Sequence, residues 1–380
     1  MAMYSPSVEL RQRRWPWAVA VLALIFVVLW TIAWFYASAK VESTIAGWRE
    51  REAQVGRIYA CATQTIGGFP FRIDVTCSDP SAEFRGAQPA TALKWKDLHV
   101  VANVFSPTRL VGELTGPLMI GEPGQLPDMS ANWRNAEIVV RGIPIAPESV
   151  TLTLDDANVE RVAGSGSESV FKAKSAEFTG RMIEGSAASN PVIGFTLKLA
   201  SATAPTVHPA AATPFDVDAS AVLRGLKDFG PKTWEDRFRE IQAADGRLEV
   251  KNARVQQGDI ISVTTGQLGL TSRGLLDGEL RMVVANFDKL VQTLGLDRMM
   301  AQATAPGGQF GAAINSLDRI LPGLGNIARQ NAGPAVIAGL GLIGQPTELE
   351  GKRAMAVPLR FADGMVTMGP IPLGPTPPLF

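Results

Sequence analysis

CATQTIGGFPFRIDVTC, residues 61–77, contains both cysteines of the chain and its first clear strand pattern. From Phe69 onward, apolar and polar side chains alternate. One face carries Phe69, Phe71, Ile73, Val75 and Cys77, and the other carries Arg72, Asp74 and Thr76. Because successive side chains of a β-strand point to opposite faces, this stretch predicts a half-buried strand. Phe69 and Phe71 are expected to point into the core with Cys77.

Similar alternating segments follow every ten to twenty residues, separated by Gly, Pro, Asn or Asp. This spacing is typical of an antiparallel meander. The predicted fold class is therefore mainly β with a few helices (α+β). Two β modules, residues 61–230 and 231–380, are expected to form a curved sheet with the helices packed on one face. The last two strands meet at Asp363-Gly364, a favoured hairpin dipeptide.

Helical segments are predicted at residues 233–245 and 287–330, within the second module. Thr233 is suited to cap the first of these helices, with Asp236 three residues further on. The apolar stripe of that helix consists of Trp234, Phe238 and Ile241.

The N-terminal region predicts a membrane anchor over residues 15–38. No charged residue occurs from Trp15 to Tyr36, and about 20 apolar residues suffice to cross a bilayer as a helix. Three arginines precede this run and only Lys40 follows it closely, so the positive-inside rule places residues 1–14 in the cytoplasm. The alternative is a cleaved signal peptide, because Ala37-Ser38-Ala39 resembles a cleavage site.

Residues 39–60 are predicted to continue the anchor as a juxtamembrane helix, because apolar residues recur there at spacings of three, four and seven. We therefore expect a single-pass protein of the inner (cytoplasmic) membrane. Its N-terminus would lie in the cytoplasm and its bulk in the periplasm.

Export bears directly on Cys61 and Cys77, because cysteines outside the cytoplasm tend to be oxidised. A redox pair would have Cys-x-x-Cys spacing, and two cysteines with no nearby histidine cannot complete a tetrahedral metal site. The glycine-rich turn at residues 66–70 would bring the two cysteines opposite each other. We predict a Cys61–Cys77 disulfide, with free thiols as the alternative.

The remaining composition argues against nucleic-acid binding and catalysis. Lysine and arginine total 36, as do aspartate and glutamate, so the basic excess of a nucleic-acid binder is missing. Neither His99 nor His208 has the sequence context of a catalytic triad. Residues 339–344 fit G-x-G-x-x-G, but Pro346 follows at once and the surrounding βαβ pattern is absent. We predict a protein that is not an enzyme and has no metal or cofactor.

Two stretches resemble a known family: GGFPFRIDVTC at residues 67–77 and LRFADGMVTMGPIPLG at residues 359–374. Together with the N-terminal anchor they are similar to an uncharacterised family of alphaproteobacterial envelope proteins, domain of unknown function 2125. The meander at residues 246–295 also resembles, more loosely, parts of AsmA-like envelope proteins. That second resemblance implies an N-terminal anchor and a β-rich groove associated with lipid handling.

Two functional hypotheses follow for the exported part. The first is a lipid-binding or amphiphile-binding protein of the cell envelope, and the second is a scaffold or assembly partner that binds another envelope protein. The expected partners are the inner membrane, a lipid and envelope proteins. The candidate groove or core residues are Phe69, Phe71, Val100, Val104, Leu118 and Ile120.

Overall fold

The computed structural model is an antiparallel β-sheet with one long N-terminal helix and shorter helices, which confirms the predicted fold class. It describes residues 15–87, 89–143, 147–163, 166–230, 232–293, 344–368 and 371–380. The helices are α1 (Trp15–Gln54), α2 (Trp234–Ala243) and α3 (Phe287–Thr293), and a 3-10 turn covers Pro209–Ala212.

Helix α1 is 40 residues long and is the one helix in the described ranges that is long and apolar enough to cross a membrane. It runs without interruption from the apolar segment into the charged segment. The predicted juxtamembrane helix over 39–60 is too long, because α1 ends at Gln54. Gly56 follows with a φ of 76°, a left-handed conformation that ends a helix, and Arg57–Ala60 is a strand.

The first ten strands form five long antiparallel strands, each broken once near its middle. They are β1 (Arg57–Ala60), β2 (Thr63–Gly67), β3 (Arg72–Ser78), β4 (Ser81–Phe84), β5 (Thr91–Lys94), β6 (Asp97–Asn103), β7 (Ser106–Thr115), β8 (Leu118–Gly121), β9 (Met129–Asn132) and β10 (Asn135–Arg141). On one side of the breaks β2, β3, β6, β7 and β10 pair in that order. On the other side the order is β1, β4, β5, β8 and β9.

The breaks lie next to one another in a single row across the sheet. Backbone amides at the breaks donate across the row, from Asp79 to the Lys96 carbonyl (2.9 Å) and from Lys96 to that of Thr115 (3.2 Å). Asp79 has a φ of 46°, a conformation that interrupts a strand. The interruptions of these strands therefore have a local cause in the backbone, and the predicted curvature of the sheet stays a prediction.

The second half of the sheet is a simple meander. Its strands are β11 (Ser149–Ala163), β12 (Gly166–Ser186), β13 (Ser189–Ala202), β14 (Phe215–Leu223), β15 (Leu248–Gln257), β16 (Ile260–Leu270), β17 (Leu276–Ala285), β18 (Gln345–Leu349), β19 (Lys352–Ala362), β20 (Met365–Met368) and β21 (Ile371–Pro375). Each pairs with the next from β11 to β17, β17 then pairs with β19, and β19 turns into β20 at Asp363-Gly364 as predicted. Because β14 pairs with β15, the sheet continues across the predicted module boundary near residue 231.

The two short helices pack on the same face of the sheet, as predicted. Ile260 packs into the cluster around Phe287 of α3, and Leu270 packs into the cluster around Ile241 of α2. These two residues are separated by an even number of positions on β16, so their side chains lie on one face. Of the predicted helix at 287–330, only α3 falls within the described residues, and the rest lies outside them.

The predicted Cys61–Cys77 disulfide is present, with the two Cα atoms 5.5 Å apart. Cys61 lies at the break between β1 and β2, and Cys77 lies on β3 beside the next break. The bond therefore ties the first two long strands together at the row of breaks.

Phe69 and Phe71 are not core residues, which corrects the expectation from the period-two pattern. They lie in the turn between β2 and β3, and 50% and 55% of their surfaces are exposed. The prediction extends the strand back through Pro70 to Phe69, but β3 begins only at Arg72. The two rings contact α1 instead.

The disulfide predicts a simple chemical result. Protein unfolded in denaturant without reductant should take up no alkylating reagent, and after reduction it should take up two equivalents, as read by intact mass. Two adducts on the unreduced protein would show that the bond does not form. Replacing both cysteines by serine should lower the free energy of unfolding by up to about 3 kcal/mol, because the cross-link restricts the unfolded chain.

Candidate binding pocket

An apolar pocket of about 510 Å³ lies between α2 and the sheet in the described part of the chain. Its floor comes from one face of two neighbouring strands. Phe178, Gly180 and Met182 alternate along β12, and Ile193 and Phe195 do so along β13. The strand period of two therefore places all five on the side of the sheet that α2 covers.

Gly180 creates part of the pocket volume. It pairs with Phe195, whose ring stacks on that of Phe178 at a centroid distance of 5.9 Å. A Cβ atom at position 180 would lie 3.7 Å from the Phe195 ring, an ordinary contact distance. A larger side chain at this position would consequently project into the cavity without disturbing the backbone.

The wall and mouth of the pocket are also apolar. Helix α2 contributes Trp234, Phe238 and Ile241, the stripe identified from the sequence, and the segment before it contributes Leu226 and Phe229. Ile241 and Leu226 are buried against the floor, whereas Trp234 is 67% exposed at the mouth. Exposed aromatic surface beside an apolar cavity is typical of a binding site.

Helix α2 begins where the sequence predicted, because its cap is made by local hydrogen bonds. The Thr233 hydroxyl accepts a hydrogen bond from the Asp236 backbone amide at 3.1 Å and donates one to the Asp236 carboxylate at 2.8 Å. This start orients the first turn of α2, so that Trp234 is placed at the pocket mouth.

A network centred on Glu240 holds the wall in place. Its carboxylate accepts hydrogen bonds from the Lys227 backbone amide (2.5 Å), from Arg237 (3.1 Å) and from the Lys232 ammonium group. The Arg237 guanidinium also donates to the backbone carbonyls of Asp228 (2.6 Å) and Gly230 (2.5 Å). Side chains on α2 thus fix the chain that leads into it.

The pKa values of the acidic groups in this network are shifted by these contacts. Burial opposes ionisation of Glu240, but the hydrogen bonds from Lys232 and the Lys227 amide outweigh it and lower the pKa of that carboxyl below 4.5. The pKa of Asp228 is lowered below 3.8 by hydrogen bonds from Lys232 and the Gly230 amide. Both groups are therefore ionised at neutral pH, which keeps the wall intact.

Cationic groups lie at the rim of the pocket. Arg57 binds Glu52 at the end of α1 (2.5 Å) and donates to the Lys232 carbonyl (2.7 Å), so it connects the long helix to the pocket. The hydrogen bond from Arg57 to Glu52 raises the pKa of the guanidinium further. Arg181 also contributes to the lining, but it lies between Gly180 and Met182 on β12, so its side chain points to the opposite face of the sheet.

These properties suit a ligand with an apolar body and a polar, anionic end. The interior offers aliphatic and aromatic contacts, and the rim offers guanidinium groups.

Among the described residues, no group of three or more His, Cys, Asp and Glu side chains could hold a metal ion. His208 accepts a hydrogen bond from the Ala210 amide (3.1 Å) at the 3-10 turn, and His99 lies on β6.

None of the six groove or core residues predicted from the sequence lines this pocket. Val100 lies on β6 and is half-buried, as are Leu118 and Ile120 on β8. Val104 lies in the turn between β6 and β7, where its amide donates to the Phe71 carbonyl at 3.0 Å. The sequence signal for the pocket was the alternation Phe178-x-Gly180-x-Met182 together with the α2 stripe. Residues 339–343 of the G-x-G-x-x-G match lie outside the described residues.

The Glu240 network predicts a local loss of structure on neutralisation. Glu240→Gln should lower the free energy of unfolding by about 1–3 kcal/mol, because partly buried cations lose a charged acceptor. Amide exchange of residues 226–230, measured by mass spectrometry, should accelerate. Because the folded pKa values of Glu240 and Asp228 are lowered, their contribution is complete at neutral pH and is lost as pH falls below about 4.

Glu235→Gln is the matched control on the same helix. Glu235 pairs with Arg239 at 2.5 Å, but both side chains are more than half exposed. Such surface ion pairs contribute at most about 1 kcal/mol to the free energy of unfolding. The amides of residues 226–230 should therefore exchange in this variant at the rate of the unmodified protein. Equal exchange in the two variants would contradict the proposed role of Glu240.

Comparison with models of known protein families assigns the chain to a family. The family model described as "Uncharacterized protein conserved in bacteria (DUF2125)" matches residues 34–377, a range that includes the C-terminal part of α1, the sheet and the pocket. A search of curated proteins finds no match. The looser similarity to AsmA-like proteins stays a prediction. Because the family model covers most of its length, the chain belongs to the bacterial DUF2125 family.

Proposed function

We propose that this protein is a non-enzymatic, membrane-anchored component of the bacterial cell envelope that binds a lipid or another amphiphile in the pocket under α2. Its anchor would cross the inner membrane once, with the N-terminus in the cytoplasm and the sheet in the periplasm. The observation that carries the proposal is the open apolar cavity, which lies on a chain whose N-terminal helix can span a bilayer.

The size and lining of the cavity support this ligand class. A volume of about 510 Å³ lies within the roughly 300–1,000 Å³ that is typical of small-molecule sites. Burial of an alkyl chain against Phe178, Phe195 and Phe238 would contribute about 0.8 kcal/mol per methylene group. A carboxylate or phosphate at the other end of the ligand would meet the guanidinium group of Arg57 at the rim.

A scaffold role is the second candidate, and Trp234 is the observation that favours it. This indole is 67% exposed at the pocket mouth, and tryptophan is enriched in protein–protein interfaces. In that case the pocket would accept an apolar side chain of another envelope protein rather than a free amphiphile. Crosslinking in intact cells would then capture a stoichiometric partner at α2.

Photocrosslinking with a diazirine-bearing fatty acid tests the amphiphile proposal. Full-length protein reconstituted in nanodiscs should be labelled at two places: on the apolar part of α1, from the bilayer, and on pocket residues such as Phe178 and Phe238. Gly180→Leu should reduce pocket labelling about tenfold, because the added side chain fills the floor. Peptide mass spectrometry reads both positions in one sample.

Labelling of α1 is the internal standard, since it depends on the bilayer and not on the pocket. Gly112→Leu is the matched control: a Cβ atom at this glycine on β7 would also lie 3.7 Å from its nearest neighbours, and position 112 is not in the pocket. Both labels should persist in that variant. Labelling confined to α1 in the unmodified protein would refute amphiphile binding and leave the scaffold role.

A further inference from the structure

The turn between β2 and β3 contacts α1 near the outer end of its apolar segment. The Trp30 indole N–H donates to the Pro70 carbonyl, and the Trp34 indole N–H donates to the Arg72 carbonyl, both at 2.9 Å. Trp34 is buried by this contact. The turn between β2 and β3 is therefore fixed at a defined height along the helix.

That height corresponds to the outer boundary of the bilayer. At 1.5 Å per residue, Trp30 lies about 22 Å and Trp34 about 28 Å along the helix from Trp15, where the uncharged run begins. The hydrocarbon core of a bilayer is about 30 Å thick. The first charged residue after the run is Lys40, six residues beyond Trp34. The sheet turn that contacts these indoles is consequently at the level where hydrocarbon gives way to headgroups.

The surface at this level is aromatic and largely uncovered. Phe69 packs edge-on against Trp34 (5.5 Å between ring centroids), and Phe71 stacks on Phe105 of the turn between β6 and β7 (6.0 Å). Phe105 is 77% exposed, and Phe69 and Phe71 are at least half exposed. Exposed phenylalanines grouped at two neighbouring turns are unfavourable in water but favourable at a membrane interface.

Two neighbouring arginines lie on the strands close to these turns. Arg109 on β7 and Arg141 on β10 are directly opposite in the strand register, and both are exposed. Neither has an ion-pair partner in the part of the chain that the structure describes. Like charges directly opposite each other destabilise a sheet. An anionic headgroup placed between the two guanidinium groups would remove this repulsion.

We propose that the turns carrying Phe69, Phe71 and Phe105 are inserted into the outer interface of the membrane that anchors α1, with Arg109 and Arg141 at its phosphate groups. The sheet then contacts the bilayer through a second site, next to the helix. This contact limits rotation of the sheet about α1 and sets its orientation above the membrane. It does not depend on what the α2 pocket binds.

Collision accessibility of a nitroxide tests the insertion. A Phe105→Cys variant carries the label on full-length protein in nanodiscs of phosphatidylethanolamine and phosphatidylglycerol. Its collisions with a water-soluble nickel chelate should be about tenfold less frequent than at an aqueous site, and collisions with oxygen more frequent, because the bilayer excludes the chelate. Intact mass confirms one label per chain and an intact native disulfide.

Val207→Cys is the matched control, because its side chain is 78% exposed in the connection after the far end of β13. A label there should collide freely with the chelate. Ser106→Cys, on the exposed first residue of β7, is the second site and should be shielded like position 105. Equal chelate accessibility at positions 105, 106 and 207 would overturn the proposal. Shielding at 105 and 106 but not at 207 would support it.

Discussion

Two hydrogen bonds from tryptophan indoles on α1 to backbone carbonyls of the turn between β2 and β3 connect the long apolar helix to the sheet. A carbonyl that is shielded from water and lacks a donor costs free energy. Trp30 and Trp34 supply donors to the carbonyls of Pro70 and Arg72. The Cys61–Cys77 disulfide fixes the other end of the same two strands, at the row of breaks. The first hairpin is thereby held at both ends, and every later strand is placed relative to it.

The pocket is connected both to α1 and to the strands that carry Arg109 and Arg141. Between Trp34 and Gln54 helix α1 rises about 30 Å, and the chain then turns back into β1. Arg57, just after that turn, binds Glu52 on α1 and the Lys232 carbonyl at the pocket rim. The pocket is therefore connected to the C-terminal end of α1 through Arg57, and the strand register connects it to the row that contains Arg109 and Arg141. In that register Arg141 pairs with Ser149, and Val150, the next residue of the same strand, pairs with Gly180 on the pocket floor. The pocket floor thus lies only two strands from Arg141.

Sequence reasoning predicted the features that depend on local chemistry. Alternating side chains identified the strands, Asp363-Gly364 identified a hairpin turn, and Thr233 identified the start of α2. It misplaced Phe69 and Phe71, because their side chains continue the period of two although they lie in a turn that packs on α1. It also missed the pocket, which exists because Gly180 lacks a side chain where β12 and β13 meet α2. That coincidence depends on strand register, which a single sequence does not specify.

The floor and the wall of the pocket are stabilised by different interactions. The floor belongs to a continuous ladder of backbone hydrogen bonds between β11, β12, β13 and β14, which can be broken only by opening the sheet. The wall depends on a few charged groups, with Glu240 accepting hydrogen bonds from Lys227, Lys232 and Arg237. Segments held by few contacts open at lower free energy than sheet interiors. Ligand entry is therefore expected at the wall, by movement of α2 and the chain before it, while the sheet stays closed.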